Sequence, residues 1–136
     1  MRDLYAQSSD KSLAYAVVRP GGLSDGPAKG SAALNLSQGD VLSSEISRSD
    51  VAEVTVAALL KGKATDFTTF ELNQNEGLVK AQGNLPDLPS ELVHAGSSSY
   101  GGLLDGLVTD EEIKSKFPSI INDFAGAGIE PIGSLV

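Results

Sequence analysis

The stretch LAYAVVRPGGL, residues 13–23, decides the predicted fold of this chain. Its first six residues, Leu13 to Val18, are apolar without polar alternation, which is typical of a strand covered on both faces in a parallel sheet. The run ends at Arg19-Pro20-Gly21-Gly22, where proline and paired glycines predict a turn. The sequence therefore predicts an α/β fold in which the chain turns as it leaves a buried strand.

A capping box begins the most distinct helix of the chain. Ser47 and Asp50 have the S-x-x-D spacing in which a serine hydroxyl caps backbone N–H groups of the first turn. Gly62 is well placed to end this helix. The positions predicted to share its core-facing side are Val51, Val54, Thr55, Ala58 and Leu59.

Shorter elements surround this helix. Residues 24–40 are rich in Ser, Gly and Asp and predict a long loop, whereas residues 41–46 and 68–72 predict short strands. After residue 72, glycine and proline interrupt the chain up to residue 106, which predicts mainly extended structure. Three short apolar pairs are expected to hold this segment to a surface: Leu78 with Val79, Leu92 with Val93, and Leu103 with Leu104. A second capping box, Thr109 with Glu112, predicts a helical segment near 109–125.

The first 72 residues resemble the atypical short-chain dehydrogenases/reductases, an NAD(P)-binding group with an extended Rossmann-type fold. The resemblance rests on residues 13–23, on ISRSDVA at 46–52 and on TFEL at 69–72. It implies that residues 1–72 form the C-terminal portion of a Rossmann-type domain with a parallel sheet. Residues 73–136 are then expected to form an irregular, partly helical extension.

The resemblance also implies a nicotinamide cofactor, NADP or NAD, beside the turn that follows the first strand. The residues expected to bind it are Arg19, Pro20, Gly21, Gly22 and Leu23. Ligands of open α/β sheets bind where loops leave the carboxyl ends of strands, and paired glycines let a flat ring approach the backbone. The structural alternative, that the two glycines only permit a sharp turn, stays open.

Two motifs of NAD(P)-dependent oxidoreductases are absent from the sequence. No G-x-x-G-x-x-G run follows a strand, although such a loop and a helix N-terminus hold the cofactor pyrophosphate. The family's Tyr-x-x-x-Lys pair is also absent, because Tyr5 is followed by Ser9 and Tyr15 by Arg19. We therefore predict no catalytic residue and no reductase activity for these 136 residues by themselves.

Composition narrows the remaining classes of function. The 18 acidic and 10 basic residues give a net charge of −8, which disfavours nucleic acid and anionic membrane surfaces as partners. The chain has no cysteine and only one histidine, His94, so thiolate chemistry and the common metal motifs are excluded. No apolar run reaches the roughly 18–20 residues of a transmembrane helix, and no secretory signal is visible. The expected location is soluble and intracellular, with plastid stroma and cytoplasm both open.

Three functions stay open after these exclusions. The first is an NAD(P)-binding dehydrogenase/reductase-like protein whose N-terminal half lies outside this chain. The second is a non-catalytic structural subunit of a larger complex, photosynthetic or otherwise associated with a membrane, that retains a dehydrogenase remnant. The third is a small module that senses NADPH without turning it over. The first two functions require either a protein partner or the N-terminal half of the domain, whereas the third requires neither.

Overall fold

A mixed four-stranded sheet with one long helix packed on it forms the centre of the structure. The computed structural model describes residues 13–120. The strands, in chain order, are β1 Ala16–Pro20, β2 Gly22–Ser24, β3 Leu34–Ser37, β4 Leu42–Ser43, β5 Glu45–Ser47, β6 Thr68–Gln74, β7 Val79–Lys80 and β8 Val93–Ala95. The helices are α1 Arg48–Lys61, α2 Tyr100–Leu103 and α3 Asp110–Lys116, and short 3-10 turns occupy Ser31–Ala33, Gly62–Thr65 and Ser90–Leu92.

The strand order of the central sheet is β1-β6-β3-β8. β1 and β6 are parallel, with Val18 opposite Phe70. β3 is antiparallel to β6, and β8 is antiparallel to β3. The parallel pair β2–β5 and the antiparallel pair β4–β7 are separate from this sheet. The predicted α/β class with a partial Rossmann-type fold is confirmed, and antiparallel strands extend its parallel part.

β1 differs from the predicted strand in position, burial and ending. It is an edge strand of the sheet among residues 13–120, and Ala16 to Arg19 are half-buried, so the expected cover on both faces is wrong. The predicted turn is also wrong, because Gly21 N donates to Leu72 O at 3.0 Å and the chain continues directly into β2. Pro20 is tolerated there because alternate N–H groups of an edge strand point away from the sheet.

β3 lies within the stretch that was predicted to be a loop. Its four residues are all buried. Leu34 and Leu36 belong to the main core, whereas Asn35 and Ser37, which alternate with them, face the opposite side of the sheet. The loop prediction is wrong here because the strand is buried on both faces although two of its four residues are polar, and polar residues in the sequence are more typical of a loop. The short strand expected at 41–46 is present as β4 and β5, separated by Ser44.

The main core lies between the sheet and α1. Its buried members are Leu34, Leu36, Ile46, Val54, Ala58, Phe70, Leu72, Leu103 and Leu104. The predicted ends of α1 are confirmed: Ser47 Oγ accepts from Asp50 N at 3.0 Å, and Gly62 follows the helix with φ 61°. Two of the positions predicted to face the core do not join it, since Leu59 is 78% exposed and Thr55 is also exposed.

Segments after residue 72 pack against the central sheet and the main core. β8 pairs with β3, and two neighbouring leucines are fully buried in the main core rather than holding the segment to a surface: Leu103, the last residue of α2, and Leu104, which follows it. Leu92 forms a second buried cluster with Ile113 and Ile120.

The second predicted capping box is confirmed at the start of α3. Thr109 Oγ1 accepts from Glu112 N at 3.2 Å, and the glutamate side chain lies 3.3 Å from the same hydroxyl. Residues 121–125 of the predicted helical segment lie outside the described residues. Among the described helices, none is long and apolar enough to cross a membrane.

Candidate cofactor site

A cleft of about 650 Å³ opens at the carboxyl ends of β2 and β6. Three segments line it: residues 24–29, residues 43–45, and residues 74–79. Lys29 is the cation among the lining residues, and Glu45 and Glu76 are the carboxylates. Because ligands of α/β sheets bind at the carboxyl ends of strands, this cleft is the candidate functional site.

The five residues expected to bind cofactor lead up to this cleft, and none of them lines it. Ser24, which follows Leu23 directly, is the first lining residue. Leu23 is 49% exposed, and Gly22 lies opposite Glu45 of the cleft lining in the β2–β5 pair. An added Cβ at Gly22 would have no neighbour closer than 3.9 Å, so its backbone is open to a flat group.

Gly21 has a packing role instead. A Cβ at this position would overlap Asn73 Oδ1 and the backbone oxygen of Ser44. Asn73 Oδ1 also accepts from Ser44 N at 2.8 Å, and Gly22 N donates to Ser44 O at 3.0 Å. Gly21 therefore provides the space in which the segment between β4 and β5 approaches the end of β1.

Arg19 is held by two carboxylates, one on β6 and one in the bend after β3. Its guanidinium lies 3.2 Å from Asp40 Oδ2 and 3.8 Å from Glu71 Oε2. Pro20 ends β1 with its ring exposed. In this arrangement the Arg19 charge is paired with Asp40 and Glu71. The positive charge in the lining of the cleft comes from Lys29 instead.

Glu71 is a buried carboxyl on β6, only 4% exposed. Burial raises the pKa of Glu71 to about 7, against the opposing effects of the Asp40 N–H, which donates to Oε1 at 2.7 Å, and of the Arg19 charge. Asp40 and Asp110 also face Glu71 and raise its pKa further. Near neutral pH this buried carboxyl is therefore partly protonated.

Glu71→Gln is expected to remove a pH-dependent loss of stability. Because the pKa of Glu71 is raised from 4.5 to about 7 on folding, its protonated form favours the folded state below 4.5 and this contribution is lost as pH rises to about 7. The free energy of unfolding of the wild type should fall relative to Glu71→Gln by about 3 kcal/mol across that window. Urea denaturation at a series of pH values measures it, with the exposed Glu53→Gln as the control. Parallel curves for the wild type and Glu71→Gln would contradict the assignment.

Several residues of the site could not be identified from the sequence. Lys29 and Ser24 lie in the stretch predicted as loop, and Ser44 and Asn73 act through contacts between distant segments. Asp50 was identified as a capping residue, but its further contacts with residues 29, 30 and 100 depend on the tertiary structure.

The described tyrosines donate to carboxylates and do not reach a lysine through a Tyr-x-x-x-Lys spacing. Tyr15 donates to Asp110 Oδ2 at 2.7 Å, and Tyr100 donates to Asp50 Oδ1 at 2.9 Å. Tyr5 lies outside the described residues. Within residues 13–120, no group of three or more His, Asp or Glu side chains is arranged to hold a metal ion.

Comparison with known families points to the same class of cofactor. Residues 2–61 match the family model described as NAD(P)H-binding. The matched segment contains β1, the stretch from Arg19 to Leu23, two of the three segments that line the cleft and the whole of α1. No curated protein matches the chain. Residues 2–61 are thus similar to an NAD(P)H-binding domain, which is consistent with an NAD(P)-binding family.

Proposed function

We propose that this chain is part of an NAD(P)-binding protein of the short-chain dehydrogenase/reductase type and contacts the nicotinamide end of the cofactor. The observation that carries the proposal is the cleft at the ends of β2 and β6, adjoining Leu23 within the segment similar to NAD(P)H-binding domains. The open backbone at Gly22 suits a flat nicotinamide ring, and Lys29 suits a phosphate. The bound cofactor would supply the hydride chemistry, while these residues bind and orient one end of it.

The other end of the cofactor requires a phosphate-binding loop from elsewhere. The sequence contains no glycine-rich loop of the required pattern. A groove of about 250 Å³ runs between β1 and α1, lined by Ala16, Val18 and Leu59 among others. An apolar edge strand beside such a groove can pair with a further strand. We infer that a further strand pairs with β1 beside this groove and runs parallel to it. This strand would belong to the phosphate-binding half of the domain, contributed by an N-terminal segment or by a separate subunit.

Binding of the two cofactor halves tests which end this chain holds. Nicotinamide mononucleotide at millimolar concentration should shift the backbone amide signals of Gly22, Ser24 and Lys29, whereas adenosine diphosphate should not. Gly22→Val should abolish these shifts because its side chain fills the open approach to the backbone. Gly83→Val is the control, since a Cβ there has no neighbour within 4 Å and residue 83 does not line the cleft.

Two results would contradict the proposal. One is a response of the cleft amides to adenosine diphosphate alone, and the other is no response of the wild type to either compound. We also expect no NADPH-dependent turnover from the purified 136-residue chain, because a cofactor held at one end only is poorly oriented for hydride transfer.

A non-catalytic subunit of a larger complex is the second candidate. The exposed apolar residues of α1 favour it: Leu59, which lines the groove beside β1, is 78% exposed, and Leu60 is 82% exposed. Such a subunit would bind a protein partner through this surface. The partner would belong to a larger complex, of which a membrane-associated complex is one case. It would bind no nicotinamide mononucleotide, so the titration above separates the two functions.

A further inference from the structure

We propose that Asp50 and Tyr100 are positioning residues that hold the Lys29 wall of the cleft in place. This wall is the segment 25–30, of which Gly26, Pro27 and Lys29 line the cleft. The inference rests on the proposed function only for the identity of the ligand, since the contacts themselves involve no ligand.

Asp50 connects three separate parts of the chain through its carboxylate. Oδ2 accepts from Lys29 N at 2.8 Å, and Oδ1 accepts from Gly30 N at 3.2 Å. The Tyr100 hydroxyl donates to Oδ1 at 2.9 Å, and the Ser47 hydroxyl donates to Oδ2 at 3.0 Å. The wall, the start of α1 and the short helix α2 therefore meet at one carboxylate.

Helix capping alone does not account for this arrangement. A capping box needs only the pair Ser47 and Asp50. The other three donors come from residues that are 20, 21 and 50 positions away in the sequence. Asp50 is fully buried, and a buried carboxylate is costly unless several donors satisfy it. Its donors make it a strong tether for the wall.

The ionisation of both side chains favours this tether. Burial opposes ionisation of Asp50, but the hydrogen bonds from Lys29, Tyr100, Gly30 and Ser47 outweigh it and lower the pKa of Asp50. Burial and the neighbouring Asp50 carboxylate raise the pKa of Tyr100 to about 12, so its hydroxyl remains a donor near neutral pH.

The wall has a second, weaker connection to the helix. Arg48 lies 3.3 Å from Asp25, but their side chains are 57% and 91% exposed, and solvent screens an ion pair of this kind. Lys29 and the residues before it from Asp25 onward are exposed. Of these two connections, the one through Asp50 therefore holds the backbone of Lys29 and Gly30 more firmly.

Amide hydrogen exchange of the full chain tests the tether. Tyr100→Phe keeps the ring that packs on the core and removes only the hydroxyl, so Lys29 and Gly30 should exchange several-fold faster with core amides unchanged. Asp50→Asn should accelerate them by about tenfold or more, because it replaces one acceptor with a donor. Tyr15→Phe is the matched control, since it removes another tyrosine–aspartate hydrogen bond, to Asp110, away from the wall.

Ligand binding separates positioning from simple stabilisation. Tyr100→Phe should weaken the binding of nicotinamide mononucleotide several-fold, whereas Tyr15→Phe should leave its affinity unchanged. Unchanged exchange at Lys29 and Gly30 in Tyr100→Phe would overturn the proposal, as would faster exchange with unchanged affinity. If the wild type binds no nicotinamide mononucleotide, the proposed function fails, and the exchange rates alone decide whether Asp50 and Tyr100 hold the wall.

Discussion

Replacing Leu104 by alanine should destabilise the protein by about 2–5 kcal/mol, which is the usual cost of truncating a buried leucine. Leu104 is fully buried and packs in the main core together with residues of the sheet and of α1. Its removal leaves a cavity that the surrounding strands cannot close without losing their hydrogen-bonded register. Since small domains are only marginally stable, much of the chain should unfold at physiological temperature.

Urea denaturation followed by circular dichroism measures this loss. Leu60→Ala is the matched control, since Leu60 is 82% exposed and its truncation should change the free energy of unfolding by no more than about 0.5 kcal/mol. Equal stability of the two variants would show that Leu104 does not contribute to the main core.

Gly21→Ala should cost at least about 3 kcal/mol, at the upper end of the range for adding a methyl group to a packed site. The added Cβ would overlap the Asn73 side chain and the backbone oxygen of Ser44. The asparagine can move only by giving up its hydrogen bond with Ser44 N, and the backbone oxygen only by displacing the segment before β5. We therefore expect loss of the β2–β5 pair as well as of global stability.

Gly22→Ala is the control for this substitution because a Cβ at Gly22 would overlap no other atom. An added Cβ there meets Glu45 Cγ at 3.9 Å and Ser44 O at 4.0 Å, which are ordinary contacts. Its effect should stay within about 1 kcal/mol. Thermal unfolding of the two variants gives the comparison, and a larger loss for Gly22→Ala than for Gly21→Ala would contradict the packing role assigned to Gly21.

The contrast between the two glycines shows how far the sequence could specify the site. Both were expected to permit a turn or to admit a cofactor ring. In the structure, Gly21 makes room for the protein's own atoms and Gly22 leaves its backbone open. Two identical residues side by side differ in this way because Asn73 and the backbone of Ser44 occupy the space where a Cβ of Gly21 would lie, whereas the nearest atoms at Gly22 are 3.9 Å or farther from its Cβ position.

Asp50 shows the same limit at the wall of the cleft. Its spacing from Ser47 was sufficient to predict a helix start, since capping acts between residues close in sequence. The donors from Lys29, Gly30 and Tyr100 could not be predicted, because they depend on where the wall and α2 lie after folding.

Local pattern by itself determined the two capped helices, α1 and α3, and the class of fold. Ser47 and Gly62 delimit α1, Thr109 begins α3, and the apolar run from Leu13 is sufficient to place a strand, because capping and hydrophobic patterning act over a few residues. Only the tertiary structure decided that β3 is a buried strand, that Leu103 and Leu104 belong to the core, and that the cleft is lined from three separate segments. Those features depend on contacts between residues far apart in the chain, which a single sequence does not display.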